Sequence, residues 1–143
     1  MASVFTKIIN RELPAQILYE DERFIAILDI NPVNHGHALV ITKDEVPDFE
    51  TLEPELLGPL FTTVQHVARG VVKGTKAKGF NIMTSNGAVA GQEIEHLHIH
   101  IIPRFEGDGF THWKSTAYED SEAMERVGAA IRDALPQEHE PKR

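Results

Sequence analysis

Three histidines alternate with aliphatic residues in the run His-Leu-His-Ile-His-Ile-Ile-Pro at residues 96–103. Successive side chains of a β-strand point to opposite faces, so a strand here would place His96, His98 and His100 on one face. Imidazole can bind a metal, transfer protons or attack phosphorus as a nucleophile. Burying three such rings is costly unless each is hydrogen-bonded, so the alternation favours a chemical role over a structural one.

The segment before these histidines has the composition of an anion-binding loop. Asn86-Gly87 and Gly91-Gln92 enclose small residues, and glycines let backbone N–H groups approach a phosphate closely. A further histidine, His37, opens a predicted strand after Gly36. Asp29 ends an apolar segment, and a carboxylate there could accept hydrogen bonds from two ribose hydroxyls. Together these residues indicate a phosphate or nucleotide site.

The elements that must position these side chains are strands in hairpins and one long helix. Strand-like apolar runs cover residues 16–20, 23–29, 37–42, 79–84 and 95–102. An apolar period of 3.6 residues predicts helices over 55–73, with a stop at Gly74, and over 119–134. This order predicts an α+β fold with an antiparallel sheet.

Composition narrows the class of protein. The chain of 143 residues carries 14 basic and 22 acidic side chains, a net charge of −8, which disfavours nucleic-acid binding. It has no cysteine, which excludes disulfides, thiolate metal sites and a cysteine nucleophile. Neither a signal peptide nor an apolar run of about twenty residues is evident, so we expect a cytoplasmic protein without membrane partners.

The segment Gly-Gln-Glu-Ile-Glu-His-Leu-His-Ile-His-Ile-Ile-Pro-Arg at 91–104 resembles the signature of the histidine triad (HIT) superfamily. Residues 4–104 resemble, in order, the branch that hydrolyses nucleoside phosphoramidates, and 107–113 resembles its prokaryotic members. The resemblance implies a single domain over 1–143, with a core at 4–104 and a C-terminal helical extension at about 115–136. It implies a five-stranded antiparallel sheet with one long helix and a C-terminal helix, pairing into a ten-stranded sheet in a homodimer.

The same resemblance implies roles for individual residues. His98 would attack the α-phosphate, and His100 would contact that phosphate. His96 would help to orient the strand and the network behind the nucleophile, in which His37 would lie behind His98. Asp29 would hold the ribose. The other residues that it places at the nucleotide are Phe5, Ile27, Ile30, Ser85, Gly91, Gln92, Glu93 and Ile94.

Two departures from the family pattern affect metal binding and the leaving group. Some members hold a structural zinc with two N-terminal cysteines and a histidine, whereas this chain has Ser3, Thr6 and Glu45 at those positions. Hydroxyls do not supply thiolates, so we expect no structural zinc and no required cofactor. Glu93 stands where some members have a serine or threonine that assists the leaving group, and a carboxylate beside a phosphate is repulsive.

Four functional hypotheses remain open. The first is a hydrolase or transferase that acts at the α-phosphate of purine nucleoside phosphoramidates or related nucleotides, through a nucleotidyl-His98 intermediate and without a metal. The second is a related enzyme that prefers dinucleoside polyphosphates. The third is a transition-metal-binding protein, because histidines at i and i+2 of a strand can bind Zn, Ni or Cu, although no carboxylate ligand is evident near the run. The fourth is a nucleotide-binding regulator in which catalysis is incidental.

Overall fold

The structure is a computed structural model that describes residues 2–136. The strands of the described chain are β1 (Ile17–Glu20), β2 (Phe24–Leu28), β3 (Ala38–Thr42), β4 (Gly79–Met83) and β5 (His98–Arg104). Its α-helices are α1 (Val4–Ile9), α2 (Leu57–Thr75) and α3 (Ser121–Ala134). The strands form one antiparallel sheet in the order β1-β2-β3-β5-β4. This confirms the predicted α+β fold with a five-stranded antiparallel sheet, one long helix and a C-terminal helix.

The two faces of the sheet are covered by different helices. The layer against α2 buries Phe24, Ala26, Ala38, Val40, Leu60, Val64, Val67, Ile99 and Ile101. The layer on the α1 side buries Phe5, Ile8, Ile25, Ile27, Leu39 and Ile41. A fully buried aliphatic side chain contributes roughly 2 kcal/mol, so Ile99 and Ile101 anchor β5 firmly. Because side chains alternate along a strand, His98 and His100 face the α1 side.

The polar link between β1 and β2 forms the tight hairpin that the sequence predicts. The Asp21 carboxylate accepts hydrogen bonds from the backbone N–H groups of Arg23 and Phe24, both at 2.8 Å. A carboxylate that satisfies two turn donors holds the chain reversal in place. The hairpin therefore sets the register that carries β2 to Asp29 at the site.

The long helix differs from its predicted bounds. It begins at Leu57, after a 3-10 turn at Pro54–Leu56, and it continues through Gly74 to Thr75. The predicted stop at Gly74 is wrong, because Lys76 adopts the left-handed conformation (φ 61°) and its N–H bonds the Val72 carbonyl.

The predicted strand over 95–102 is wrong at its start. β5 begins at His98, and the chain before it bends, with the His96 N–H donating to the Ile94 carbonyl at 2.8 Å. His96 therefore precedes the strand, but its ring stays on the α1 side, where it contacts Phe5 and Ser3. The alternating Leu97, Ile99 and Ile101 pack in the layer against α2.

The described chain divides into two compact units, residues 2–109 and residues 110–136. In the second unit, α3 begins after Asp120, whose carboxylate accepts the Ala123 N–H at 2.8 Å and caps the helix. No helix in the described part of the chain is long and apolar enough for a membrane span. The single-domain assignment stays a prediction, and its residues 1 and 137–143 lie outside the described part.

Candidate active site

A cavity of about 550 Å³ opens on the α1 side of the sheet. Most of the predicted site residues line it: Phe5, Ile27, Asp29, Ile30, Gly91, Glu93, Ile94, His98 and His100. The remaining predicted residues, His37, Ser85, Gln92 and His96, are not part of its wall. Its apolar lining comes mainly from α1 and β2, and its polar lining comes from β5, the end of β2 and the loop before β5.

The His98 ring is held in one protonation form by a backbone carbonyl. Its Nδ1 lies 2.7 Å from the His96 carbonyl oxygen. A carbonyl can only accept, so Nδ1 carries the proton and Nε2 keeps a free lone pair. Phe5 packs edge-on against the ring, with centroids 4.9 Å apart. Burial lowers the pKa of His98 below its usual 6.5, so the ring is neutral at pH 7.

A second chain of hydrogen bonds fixes the protons of His37 and His100. The Val33 N–H donates to His37 Nδ1 at 3.0 Å, so a neutral His37 carries its proton on Nε2. That Nε2 lies 2.9 Å from His100 Nδ1, which must accept. The neutral His100 therefore keeps its own N–H on Nε2. His37 lies behind His100, so the expectation that it lies behind His98 is wrong.

Burial also keeps these two rings neutral. His37 is almost fully enclosed, and desolvation lowers its pKa, partly opposed by the negative charge of Asp29. Desolvation lowers the pKa of His100 to about 4, and repulsion from His98 and His37 adds to the effect. At neutral pH the site thus presents one imidazole lone pair, on His98, and one imidazole donor, on His100.

Asp29 joins this cluster at the end of β2. One carboxylate oxygen lies 3.6 Å from His37 Nε2, and the other accepts the Asn31 N–H at 2.8 Å. The potential ligand atoms of Asp29, His37 and His100 lie within 4.8 Å of one another. The expectation that no carboxylate accompanies the histidine run is therefore wrong. A metal bound to both rings would have to replace the His37–His100 hydrogen bond, because His37 Nε2 is protonated.

His96 faces a different environment. Its ring is completely buried, with Nε2 lying 2.6 Å from the Thr42 carbonyl and Nδ1 lying 2.6 Å from Ser3 Oγ. Because the carbonyl accepts, Nε2 donates and Nδ1 accepts the Ser3 hydroxyl proton. The ring has no capacity left for a substrate. Only the His96 carbonyl reaches His98.

The loop before β5 is closed by Gln92. Its side-chain oxygen accepts the Gly87 N–H at 2.8 Å, and its side-chain nitrogen donates to the Pro47 and Ile94 carbonyls at 2.7 and 3.1 Å. These bonds give the Gln92 side chain a loop-bracing role. Ser85 lies behind the wall, where a Cβ added to Gly91 would come within 3.9 Å of its hydroxyl.

The positions of the family's structural zinc come together around His96. The Glu45 carboxylate accepts the Thr6 hydroxyl at 2.7 Å and the Ser3 N–H. Neutral hydroxyls of Ser3 and Thr6 are not ligands that a structural zinc uses, which leaves one carboxylate and one imidazole. The donor set does not fit a structural zinc.

Sequence reasoning missed the helix α1 and its contribution to the cavity. Val4 and Ile8 of α1, and Leu13 after it, line the apolar end. A serine before an apolar segment is a sequence signal for the start of a helix. In the structure Ser3 is this N-cap, and its hydroxyl oxygen accepts the Thr6 N–H at 3.1 Å. A helix of 6 residues has fewer than two turns, so its apolar period does not repeat often enough to be recognised.

Comparisons with known proteins identify the family of this chain. The model of the HIT domain family matches residues 10–107. Adenylylsulfatase HINT3 of Arabidopsis thaliana is 41% identical over 143 residues, covering 94% of this chain and 72% of that protein. The crystal structure of a HIT family member from Bacillus subtilis has a TM-score of 0.87 at 35% identity and covers 96% of this chain and 99% of that chain. A zinc-bound histidine triad family protein from Mycobacterium smegmatis has a TM-score of 0.73 at 35% identity, covering 95% and 99%. The chain belongs to the HIT family.

Proposed function

We propose that this protein is a nucleotide hydrolase or transferase that acts at the α-phosphate of purine nucleoside phosphoramidates or related nucleotides. The observation that carries the proposal is the 2.7 Å contact between His98 Nδ1 and the His96 carbonyl, in a ring that lines the cavity. It leaves Nε2 as a neutral, oriented nucleophile, which is what attack on phosphorus requires.

The reaction proceeds in two displacements. His98 Nε2 attacks the α-phosphorus, the bond from phosphorus to the leaving nitrogen or oxygen breaks, and the leaving group takes up a proton from the solvent. The positive charge that develops on the ring is stabilised through the Nδ1–H bond to the carbonyl. Water then attacks the phosphorus of nucleotidyl-His98 and gives up a proton to the solvent. The P–N bond breaks, its electron pair returns to Nε2, and a nucleoside monophosphate is released. The His100 N–H stabilises negative charge on the phosphoryl oxygens in both steps.

The rest of the cavity suits a nucleoside. Phe5 and Ile27 are buried beneath the apolar end, and Ile30 lines it although its side chain is 87% exposed. These side chains bind the purine base in the proposal, and Asp29 accepts hydrogen bonds from the ribose hydroxyls. The name of the relative HINT3, an adenylylsulfatase, supports a nucleotide with an adenylyl group.

Dinucleoside polyphosphates are the second substrate class. The charged side chains of the described wall are Asp29 and Glu93, and neither lysine nor arginine is part of it. Polyphosphates normally require basic side chains or a metal, so this lining favours a phosphoramidate with a single negative charge. Comparison of kcat/KM for adenosine phosphoramidate and a diadenosine polyphosphate tests this preference directly.

The mechanism is tested by replacing His98. We expect His98→Ala to bind a nucleoside monophosphate nearly normally but to lose about 10⁴-fold or more in kcat on an aminoacyl-type phosphoramidate. His66→Ala, at an exposed position of α2 outside this cavity, is the control. Intact mass after rapid quenching should show one added nucleotidyl group on the wild type and none on His98→Ala. Wild-type kcat in His98→Ala would refute the mechanism.

We also propose that the protein acts as a cytoplasmic homodimer with a ten-stranded sheet. β4 is an edge strand whose Phe80 and Ile82 are 44% and 45% exposed, beside Phe61 of α2 in an apolar groove. An exposed apolar edge is a surface that a partner strand covers. Ile82→Glu should shift the mass in solution to that of a monomer, whereas Ile17→Glu on the opposite edge strand should not.

A further inference from the structure

Hydrogen bonds connect Glu45 to the proposed nucleophile by way of Ser3 and His96. The Glu45 carboxylate accepts the Thr6 hydroxyl and the Ser3 N–H. The Ser3 hydroxyl donates to His96 Nδ1, and the His96 carbonyl accepts from His98 Nδ1. Each step has one direction, because the carbonyl, the carboxylate and the unprotonated ring nitrogen can only accept.

The same hydrogen bonds also fix the first turn of α1. Ser3 Oγ accepts the Thr6 N–H at 3.1 Å, so the residue that caps the helix is the residue that bonds His96. In the same turn, Phe5 packs against both imidazoles, with ring centroids 5.7 Å from His96 and 4.9 Å from His98. Glu45 therefore reaches His98 by two routes, one through the His96 carbonyl and one through Phe5.

The Glu45 charge persists at neutral pH. Hydrogen bonds from the Ser3 N–H and the Thr6 hydroxyl hold the pKa of this carboxyl below its usual value. The anion holds the Thr6 hydroxyl and the Ser3 N–H, which fixes the Ser3 side chain beside the buried ring. A structural zinc would orient His96 by binding Nδ1 directly, whereas here a hydroxyl proton occupies that nitrogen.

We propose that Ser3, Thr6 and Glu45 form a metal-free anchor that takes the place of a structural zinc and positions His98 for attack. Ser3 is its central member, because it caps α1, bonds Glu45 and bonds His96. The three residues are positioning residues, since they act on His98 through His96 and Phe5. This inference rests on the proposed function only for its effect on turnover.

The first test grades the anchor residue by residue. Ser3→Ala leaves the buried His96 Nδ1 without a partner, and we expect kcat to fall about 10-fold with KM changed less than about twofold. Glu45→Ala should cost about threefold, because its carboxylate is exposed on one side. Ser3→Thr keeps the hydroxyl and should restore kcat. Asp44→Ala removes the same charge from the exposed neighbour and should leave kcat unchanged.

The second test does not depend on turnover. Nitrogen-15 NMR of the imidazoles should show His98 protonated on Nδ1 in the wild type, Asp44→Ala and Ser3→Thr. In Ser3→Ala we expect a measurable fraction with the proton on Nε2. If Ser3→Ala lowers the melting temperature but keeps the wild-type His98 tautomer and kcat, the residues only stabilise the fold and the anchor is refuted. Inactivity of every form, with the tautomer shift present, would refute the proposed function and leave the anchor intact.

The third test exchanges the anchor for a metal. The triple variant Ser3→Cys, Thr6→Cys, Glu45→His would present two thiolates and two imidazoles, including His96, around one point. We expect about one zinc per chain by elemental analysis of untagged protein, a chelator-sensitive melting temperature and the wild-type His98 tautomer. The wild type should bind no zinc at this position. A folded triple variant without zinc would show that the four side chains do not surround one point. It would refute the claim that the anchor takes the place of a zinc site.

Discussion

His96 and His98 are two residues apart in the sequence, but their imidazoles have opposite environments. The His96 ring is fully buried between Ser3 and Thr42, with a partner on each nitrogen. The His98 ring lines the cavity, with one nitrogen bonded to a carbonyl and the other free. The first ring is satisfied by the protein, and the second is left to bind a substrate.

The difference teaches that residue type and spacing identify a group of histidines but do not assign their roles. A buried ring with all its hydrogen bonds made contributes to stability, because removing it leaves unpaired polar groups. A partly buried ring with a lowered pKa and an open nitrogen is suited to chemistry. The partners of each ring nitrogen therefore separate the two roles.

The largest effects should come from replacing each of the two histidines by alanine, which should lower kcat in one variant and stability in the other. We expect His98→Ala to lose about 10⁴-fold in kcat, while its free energy of unfolding changes by about 1 kcal/mol. His96→Ala should lose about 3 kcal/mol of stability, because it opens a cavity and leaves the Ser3 hydroxyl and Thr42 carbonyl unpaired. Urea unfolding and single-turnover kinetics on both variants measure the two effects. Equal losses of stability would remove the distinction between the rings.

Much of the fold and part of the site could be predicted from the sequence. Alternation of histidine with isoleucine placed His98 and His100 on one face, and the glycine-bracketed loop was predicted beside them, where Gly91 lines the same cavity. Periodicity predicted the long helix and all five strands to within a few residues. Alternation and helical periodicity depend on residues that are close in the sequence, so they predict individual strands and helices.

The rest depended on contacts between distant segments. The bend at His96 and its bond to Ser3 join positions 93 residues apart, and the His37–His100 bond joins positions 63 apart. No local period carries that information. Asp29 was predicted to bind ribose, but its approach to His37 follows from strand pairing that brings the ends of β2, β3 and β5 together.

Acid should affect the open rings strongly. Burial lowers the pKa of His98, so kcat/KM should stay level down to about pH 6.5 and then fall up to tenfold per pH unit as Nε2 becomes protonated below that pKa. For a substrate with an uncharged leaving group, the midpoint of the kcat/KM profile should lie below pH 6.5. A midpoint above 6.5 would contradict the neutral, desolvated nucleophile.

The free energy of unfolding should also depend on pH through the His100 ring. The folded-state pKa of His100 is about 4, below the unfolded value near 6.5, so the unfolded chain binds more protons between these two pH values. The free energy of unfolding should therefore decrease as the pH falls from about 6.5 to about 4. His100→Gln removes this contribution and should flatten the decrease. Urea midpoints at pH 7, 6 and 5 for both proteins measure the difference.

Replacing Asp29, which lines the cavity, should have an effect of intermediate size on kcat/KM. Asp29→Asn keeps the shape but loses the charge, and it should lower kcat/KM about tenfold on a ribonucleotide while changing a 2′-deoxy substrate much less. The negative charge of Asp29 raises the pKa values of His98 and His100, so the pH midpoint should also move to lower pH. Equal losses on both sugars would contradict the ribose contact.

The smallest effect should come from Glu93, because it lines the cavity but is exposed to solvent. Phosphoramidates of one nucleoside with a cationic or an anionic amine leaving group differ only in charge, and Glu93 should favour the cationic one. Two unit charges about 7 Å apart in water interact by roughly 0.6 kcal/mol. Glu93 attracts the cation and repels the anion by that amount each, so Glu93→Gln should reduce the kcat/KM ratio of cationic to anionic substrate about sevenfold. Glu95→Gln makes the same charge change at an exposed position outside the wall and should leave the ratio unchanged. Equal shifts in the two variants would mean that net charge alone, and not the cavity, selects the leaving group.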